Sequence, residues 1–219
     1  MINFDLWKLP DGERHLQDWM IKTNRRLKGR LTYQISKYEK AMEFVPAERR
    51  RVAVDVGAHA GLWSYWMARH FETLHAFEPK PSHQECWIAN MLEYTNSTLH
   101  PVGLGAADGR ARLVTEPSSS GDTHAVLVAD GPVEIRTLDS YGFSGVDFIK
   151  IDVEGFEYPV CQGARETLLA NKPIVIIEQK NHEAKYYGAP PQQALGYLTA
   201  LGMSPMCKPM IGDFIMGWA

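Results

Sequence analysis

The sequence contains few cysteines and no long hydrophobic run. Its 219 residues include three cysteines, Cys86, Cys161 and Cys207, which lie far apart and form no Cys-x-x-Cys motif. This spacing argues against a zinc site and favours a reducing compartment, so we expect a cytoplasmic protein. No apolar run approaches the roughly 20 residues that a membrane-spanning helix needs. Charged residues close to Met1 also argue against a signal peptide.

The chain also lacks an excess of positive charge. With a formal net charge of −3, the chain has no general attraction for nucleic acid. Internal repeats and low-complexity tracts are missing, while 45% of the residues are hydrophobic, which is enough for one buried core. We therefore expect a single domain over residues 51–219, preceded by an N-terminal segment of residues 1–50.

The most informative stretch runs from Arg51 to Gly61 and reads R-V-A-V-D-V-G-A-H-A-G. Its valines predict a buried strand that ends at Gly57, and the residues from Leu62 onward predict a helix. A strand, a turn and a helix N-terminus can present backbone N–H groups to a ligand, and the two glycines allow close approach. The candidate contacts in this turn are Gly57, Ala58, His59, Gly61 and Leu62.

A second predicted strand, Thr73 to Phe77, is followed by Glu78 and Pro79. A carboxylate at the end of the second strand can accept hydrogen bonds from both hydroxyls of a ribose. Leu104, between two glycines after the third predicted strand, lies where an adenine could contact the backbone. These positions predict a nucleoside-containing cofactor. The alternative is an ordinary strand-to-helix turn with an unrelated acid.

The spacing of the glycines bears on which cofactor this is. A dinucleotide site requires Gly-x-Gly-x-x-Gly, whereas this chain has Asp55-x-Gly57-x-x-x-Gly61. An acid in place of the first glycine repels a pyrophosphate and suits an ammonium group. S-adenosylmethionine carries an ammonium, a sulfonium and a ribose but no phosphate, so Asp55 favours it over NAD. An NAD-dependent oxidoreductase and a non-catalytic nucleoside-binding module remain as alternatives.

The second informative stretch is Val146 to Gly155, V-D-F-I-K-I-D-V-E-G. It predicts a strand with Asp152 and Glu154 just beyond its C-terminal end. In an open α/β sheet the ligand lies at the carboxyl ends of the strands, where the strand order reverses. If this strand and the first one flank that reversal, Asp55 and Asp152 approach the same crevice. Simple helix N-capping by the two acids is the alternative.

Several motifs together resemble one known family. They are D-V-G-A-H-A-G at 55–61, F-E-P at 77–79, T-L-D at 137–139, K-I-D-V-E-G-F-E at 150–157 and P-I-V-I-I-E at 173–178. This combination resembles the FkbM-type methyltransferases. The resemblance implies a Rossmann-like α/β class I methyltransferase fold, with a seven-stranded, mostly parallel sheet, one antiparallel strand and helices on both faces. It also implies O-methylation, with residues 57–61 around the methionine part of the cofactor, Glu78 at the ribose and Asp152 near the sulfonium.

Methyl transfer requires an acceptor oxygen in line with the activated methyl group. The expected acceptor is a hydroxyl of a small molecule or sugar. His182, directly after a predicted strand, and Asp152 are the candidate bases, with Glu154 beside them. The preferred mechanism uses no metal. A magnesium-assisted variant would use Asp152, Glu178 and Asn181, because oxygen ligands suit that ion.

The N-terminal segment is predicted to be helical and peripheral. Leu16, Trp19, Met20 and Leu27 fall roughly on one helical face. A segment that precedes the first strand can also cover the cofactor crevice as a lid. A basic cluster in this segment is either a solvated helix face or a contact for an anionic group of the acceptor. Its members are Lys22, Arg25, Arg26, Lys28 and Arg30.

Overall fold

The computed structural model describes residues 1–115, 123–180 and 182–218, and for residues 182–184 the backbone alone. The predicted loop at 117–122 and the candidate ligand Asn181 therefore lie outside the described residues. Among the helices of the described part, none combines the length and apolar character that crossing a bilayer requires.

The N-terminal segment contains helices, including one around Leu16, Trp19 and Met20 as predicted, but it also contains two short hairpins that the sequence did not predict. Lys28 and Gly29 both have positive φ, +51° and +83°, which is the backbone of a tight hairpin turn rather than of a helix. In chain order the segment contains β1 (Ile2–Phe4), β2 (Trp7–Leu9), α1 (His15–Thr23), β3 (Arg26–Leu27), β4 (Arg30–Leu31), α2 (Ile35–Met42) and a 3₁₀ turn at Ala47–Arg49.

The segment is also not peripheral. Trp7, Leu9, Met20 and Tyr38 are buried in the same core as the helix after the first central strand. The Trp7 indole N–H donates to the Leu31 carbonyl over 2.7 Å. The N-terminal segment thus contributes to the hydrophobic core on one side of the central sheet.

The next part of the chain builds half of the central sheet and a side sheet. The predicted strand–turn–helix at Arg51 to His70 is present, and so is the strand at Thr73 to Phe77. The elements are β5 (Val52–Val56), α3 (Leu62–His70), β6 (Thr73–Phe77), α4 (Pro81–Asn90), β7 (Ser97–His100), β8 (Gly103–Leu104), β9 (Gly109–Thr115), β10 (Thr123–Leu127), β11 (Val133–Arg136) and a 3₁₀ turn at Asp139–Tyr141.

The C-terminal part completes the central sheet. Its elements are β12 (Val146–Ile151), α5 (Glu157–Gln162), α6 (Arg165–Asn171), β13 (Ile174–Glu178), α7 (His182–Tyr187), α8 (Gln193–Ala200), β14 (Met203–Pro205) and β15 (Asp213–Trp218).

The central sheet has seven strands in the order β14-β15-β13-β12-β5-β6-β7. As expected, β15 alone runs opposite to the other six strands of this sheet. The chain builds outward from β5 to β7 and then returns to place β12 on the other side of β5, so the order reverses between these two strands. This confirms the expected fold and puts the carboxyl ends of β5 and β12 side by side.

Side chains alternate between two cores, one on each face of the sheet. Val54, Val56, Ile149 and Ile151 belong to the core beneath α5, α6 and α8. Phe148 points to the opposite core, beneath α3 and the N-terminal segment. Because side chains of a strand alternate between the two faces, Lys150 shares the face of Phe148 and lies opposite Asp55 in the register of the two strands.

Candidate active site

A cavity of about 490 Å³ lies at the carboxyl ends of β5, β6, β12 and β13. The central sheet forms its floor. The N-terminal segment lines one side through Glu13, His15, Leu16 and Tyr33. The side sheet of β8–β11 lines another. This is the volume range and the position in which α/β proteins hold small-molecule ligands.

The turn after β5 is shaped by its neighbouring strands. Gly57 has φ +77°, and a Cβ there would lie 1.9 Å from the Asp152 carbonyl oxygen. The glycine is therefore needed for the approach to β12. The N–H groups of Gly57 and Ala58 donate to the Phe77 carbonyl over 3.0 and 3.1 Å. These two groups already have partners, so the turn is not an open set of N–H donors.

Gly61 has a packing role. Its φ is +84°, and a Cβ there would lie 2.9 Å from Trp87 Cδ1. The residue lets the start of α3 pack closely against α4, and it does not line the cavity. The other predicted turn residues, Ala58, His59 and Leu62, do line it.

Asp55 has a partner other than the predicted ammonium group. The residue is fully buried, and its carboxylate accepts a 2.6 Å hydrogen bond from the Ser64 hydroxyl. Its other oxygen lies 3.3 Å from Lys150 Nζ. The acid is thus held beneath the cavity floor, where its charge faces a lysine.

Lys150 connects three groups at this point, and the sequence analysis missed it. Its Nζ donates to the Gly57 carbonyl over 3.0 Å and lies 3.7 Å from Asp152 Oδ2. Burial lowers the pKa of Lys150, but the charges of Asp55 and Asp152 outweigh that effect and raise it. The ammonium therefore ties the turn after β5 to the end of β12. A lysine within an otherwise apolar predicted strand is the sequence signal for such a role.

Glu78 lines the cavity at the end of β6. One carboxylate oxygen accepts the His59 N–H over 2.8 Å, and the other accepts the Lys80 N–H over 2.9 Å. His83, a lining residue that sequence reasoning missed, places its Nδ1 3.4 Å from the same carboxylate. Burial, with the neighbouring His83, lowers the pKa of His59 well below its usual value, so this imidazole is neutral. Pro79 also lines the cavity.

The opposite end of the cavity is rich in acids. Oxygens of Asp152, Glu154 and Glu178, hereafter the carboxylate cluster, all lie within 4.8 Å of one another, which is close enough to hold a cation. Lys180 Nζ lies 2.6 Å from Glu178 Oε1. Burial and the charge of Asp152 raise the pKa of Glu178 to about 9, although Lys180 acts in the opposite direction. The sequence predicted Glu178 only as a ligand in the magnesium-assisted variant. It did not predict a role for Lys180.

His182, the other candidate base, is described only as the first residue of α7. Its side chain lies outside the described part of the chain, so its proposed role stays a prediction.

Part of the cavity lining is an apolar wall. Leu104, the residue predicted to lie beside an adenine, is part of this wall. The side sheet supplies most of it, with Phe156 from the loop after β12. Its members are Val102, Leu104, Leu113, Ile135 and Phe156.

The basic cluster of the N-terminal segment is largely engaged within the chain. Arg25 pairs with Glu39 over 2.6 Å, and Arg26 pairs with Asp5 over 2.9 Å. The Arg30 guanidinium lies 4.5 Å from the centre of the Trp7 ring. These contacts favour a structural role for the three arginines over contact with an anionic acceptor.

Comparison with known proteins agrees with this geometry. A family model described as the methyltransferase FkbM domain matches residues 55–204. Three solved structures resemble the fold. Methyltransferase FkbM from Methylobacillus flagellatus KT is 19% identical with a TM-score of 0.51, over 78% of this chain but 44% of that one. The putative O-methyltransferase from Klebsiella pneumoniae is 14% identical with a TM-score of 0.53, over 92% and 86% of the two chains.

The third structure is precorrin-6y C5,15-methyltransferase from Geobacter metallireducens GS-15. It is 11% identical with a TM-score of 0.51, over 95% of this chain and 99% of that one. At these identities the likeness shows the fold alone. No curated protein matches the chain significantly.

The strand order and the cavity at the reversal point are those of the class I methyltransferase fold. Within that class, the chain belongs to the FkbM methyltransferase family. It covers less than half the length of the Methylobacillus flagellatus protein.

Proposed function

We propose that the protein transfers a methyl group from S-adenosylmethionine to a hydroxyl group of a small molecule or sugar. The observation that carries this proposal is the division of one cavity into two chemically different ends. An apolar wall and Glu78 lie at the end near β6, and the carboxylate cluster lies at the end near β12 and β13. The first suits a nucleoside, and the second suits a polar acceptor.

The lining of the cavity supports one orientation of the cofactor. The adenine would lie against the apolar wall around Leu104, and Glu78 would accept hydrogen bonds from the ribose hydroxyls. The methionine part would then extend over Gly57 and Ala58. Strands β6 and β12 are separated by β5, so their ends lie about 10 Å apart. That span brings the reactive end of the cofactor toward Asp152.

When bound, S-adenosylmethionine supplies an activated methyl group, and its sulfur keeps the electron pair of the C–S bond that breaks. Asp152 is the described carboxylate that we assign to receive the acceptor proton, with Glu154 beside it. His182 stays an alternative base. Holding the acceptor in line can account for roughly 7–11 kcal/mol of the barrier, and a positioned base adds roughly 10²–10⁴-fold in rate.

The geometry disfavours the NAD alternative. A pyrophosphate needs open N–H donors in the turn after the first strand. Here the N–H groups of Gly57 and Ala58 donate to the Phe77 carbonyl, and that of His59 donates to Glu78. Three donors that a dinucleotide would use are therefore taken.

Two measurements test the proposal. Calorimetry should show binding of S-adenosylhomocysteine, and a fluorescence titration should show none of NADH. Release of S-adenosylhomocysteine, measured over matched panels of hydroxyl and amine acceptors, should favour the hydroxyl compounds. Turnover only with amines would contradict O-methylation. Binding without turnover on any acceptor would favour the non-catalytic nucleoside-binding module.

A further inference from the structure

Lys180 holds a fixed position at the acceptor end of the cavity. Its Nζ lies 2.6 Å from Glu178 Oε1, and it lines the cavity beside the carboxylate cluster. The aliphatic part of the Lys180 side chain packs closely against Gly212, since a Cβ on that glycine would lie 3.1 Å from Lys180 Cγ. The preceding residue is anchored too, since the Gln179 N–H donates to the Gly212 carbonyl over 2.7 Å.

A cation beside the carboxylate cluster offsets the repulsion among its members. Carboxylates whose oxygens lie within 4.8 Å of one another repel at a partly buried site, and that repulsion favours either a proton on Glu178 or a cation beside it. Two other lysines lie nearby. Lys150 Nζ lies 3.3 Å from Asp55 and 3.7 Å from Asp152, and Lys37 pairs with Asp213 on β15. Lys180 contacts Glu178, the member of the cluster with which neither of these lysines pairs.

We propose that Lys180 is a tethered cation that occupies the carboxylate cluster and binds the acceptor oxygen there, in the place a divalent metal ion would otherwise take. This inference rests on the proposed methyl transfer for the identity of the acceptor. An ammonium group has three N–H donors, and the contact with Glu178 uses one. A second N–H directed at the acceptor oxygen would hold it beside Asp152 and stabilise the oxygen as its proton leaves.

The proposal makes a prediction that needs no acceptor. Removing the ammonium leaves the three carboxylates without the cation that contacts Glu178, and three oxygen ligands are a donor set that Mn²⁺ accepts. By calorimetry with MnCl₂ alone, we expect Lys180→Ala to bind Mn²⁺ at least about tenfold more tightly than the wild type. Lys180→Arg, which keeps a cation, and Lys22→Ala, which removes an exposed lysine elsewhere, should behave like the wild type. Adding Glu178→Gln to Lys180→Ala should abolish the gain.

Four outcomes would overturn the inference. They are tight Mn²⁺ binding by the wild type, no gain in folded Lys180→Ala, the same gain in Lys180→Arg, and the same gain in Lys22→Ala. Thermal melts verify folding, and Lys180→Gln replaces Lys180→Ala if the latter is unfolded.

The catalytic part of the inference is tested by turnover on a hydroxyl acceptor found in the panel. Lys180→Ala should bind S-adenosylhomocysteine like the wild type but turn over more slowly, and added Mn²⁺ should restore part of the rate. Unchanged turnover would remove the catalytic role. Failure of every protein to bind S-adenosylhomocysteine would instead refute the proposed function and leave the Mn²⁺ comparison intact.

Discussion

The buried pair of Lys150 and Asp55 should be a main source of rigidity beneath the cavity. Lys150→Met keeps most of the side-chain volume but leaves the Asp55 carboxylate buried beside no cation. It also removes the hydrogen bond to the Gly57 carbonyl. Breaking a buried ion pair by removing one partner costs about 3–5 kcal/mol. At about 2–4 °C per kcal/mol for a chain of this size, the melting temperature should fall by about 6–20 °C.

Urea unfolding followed by circular dichroism measures this loss directly. The double variant Asp55→Asn/Lys150→Met should be more stable than Lys150→Met, because no uncompensated charge remains. The coupling energy of such contacting pairs is about 0.5–3 kcal/mol. Lys22→Met, an exposed lysine in α1, is the matched control and should change stability by less than about 0.5 kcal/mol. A loss below about 1 kcal/mol for Lys150→Met, or strict additivity in the double variant, would refute this reasoning.

Three further predictions concern single residues: two that line the cavity, Gly57 and Glu78, and the buried Glu157. Gly57→Ala adds a Cβ 1.9 Å from the Asp152 carbonyl oxygen at a residue with positive φ. The free energy of unfolding should therefore fall by more than about 1–2 kcal/mol. An unchanged thermal shift with S-adenosylhomocysteine would contradict a role for this turn in binding. Glu78→Gln should weaken S-adenosylhomocysteine binding by about 1.5–3 kcal/mol in calorimetry, whereas Glu85→Gln, on the exposed side of α4, should not. Burial raises the pKa of Glu157 from its ordinary 4.5 to about 7, so the folded state binds more protons than the unfolded state in that window. Stability should therefore fall by about 3 kcal/mol as pH rises from 4.5 to 7, and Glu157→Gln should remove that slope in urea titrations.

Local patterns were enough to predict the central part of the fold. The valines of β5, the glycine that follows them and the helix-forming run of α3 lie within one short stretch, so their order in the chain already implies a strand, a turn and a helix. The motif at 150–157 predicts a strand end with acids beyond it in the same way. In the N-terminal segment, local periodicity predicted the helix around Leu16, Trp19 and Met20 but missed two hairpins, because strands of two or three residues are too short to show an alternating pattern.

The sequence by itself determined the family, the strand–turn–helix at residues 51–70 and the presence of acids at strand ends. Only the tertiary structure decided which partners those acids have. Asp55 and Lys150 are 95 positions apart by number and become neighbours only because β5 and β12 pair in one register. Lys180 reaches the carboxylate cluster because β13 lies beside β12. The physical reason is that backbone propensity acts over a few residues, whereas charge pairing and the shape of a cavity depend on which strands the completed sheet places side by side.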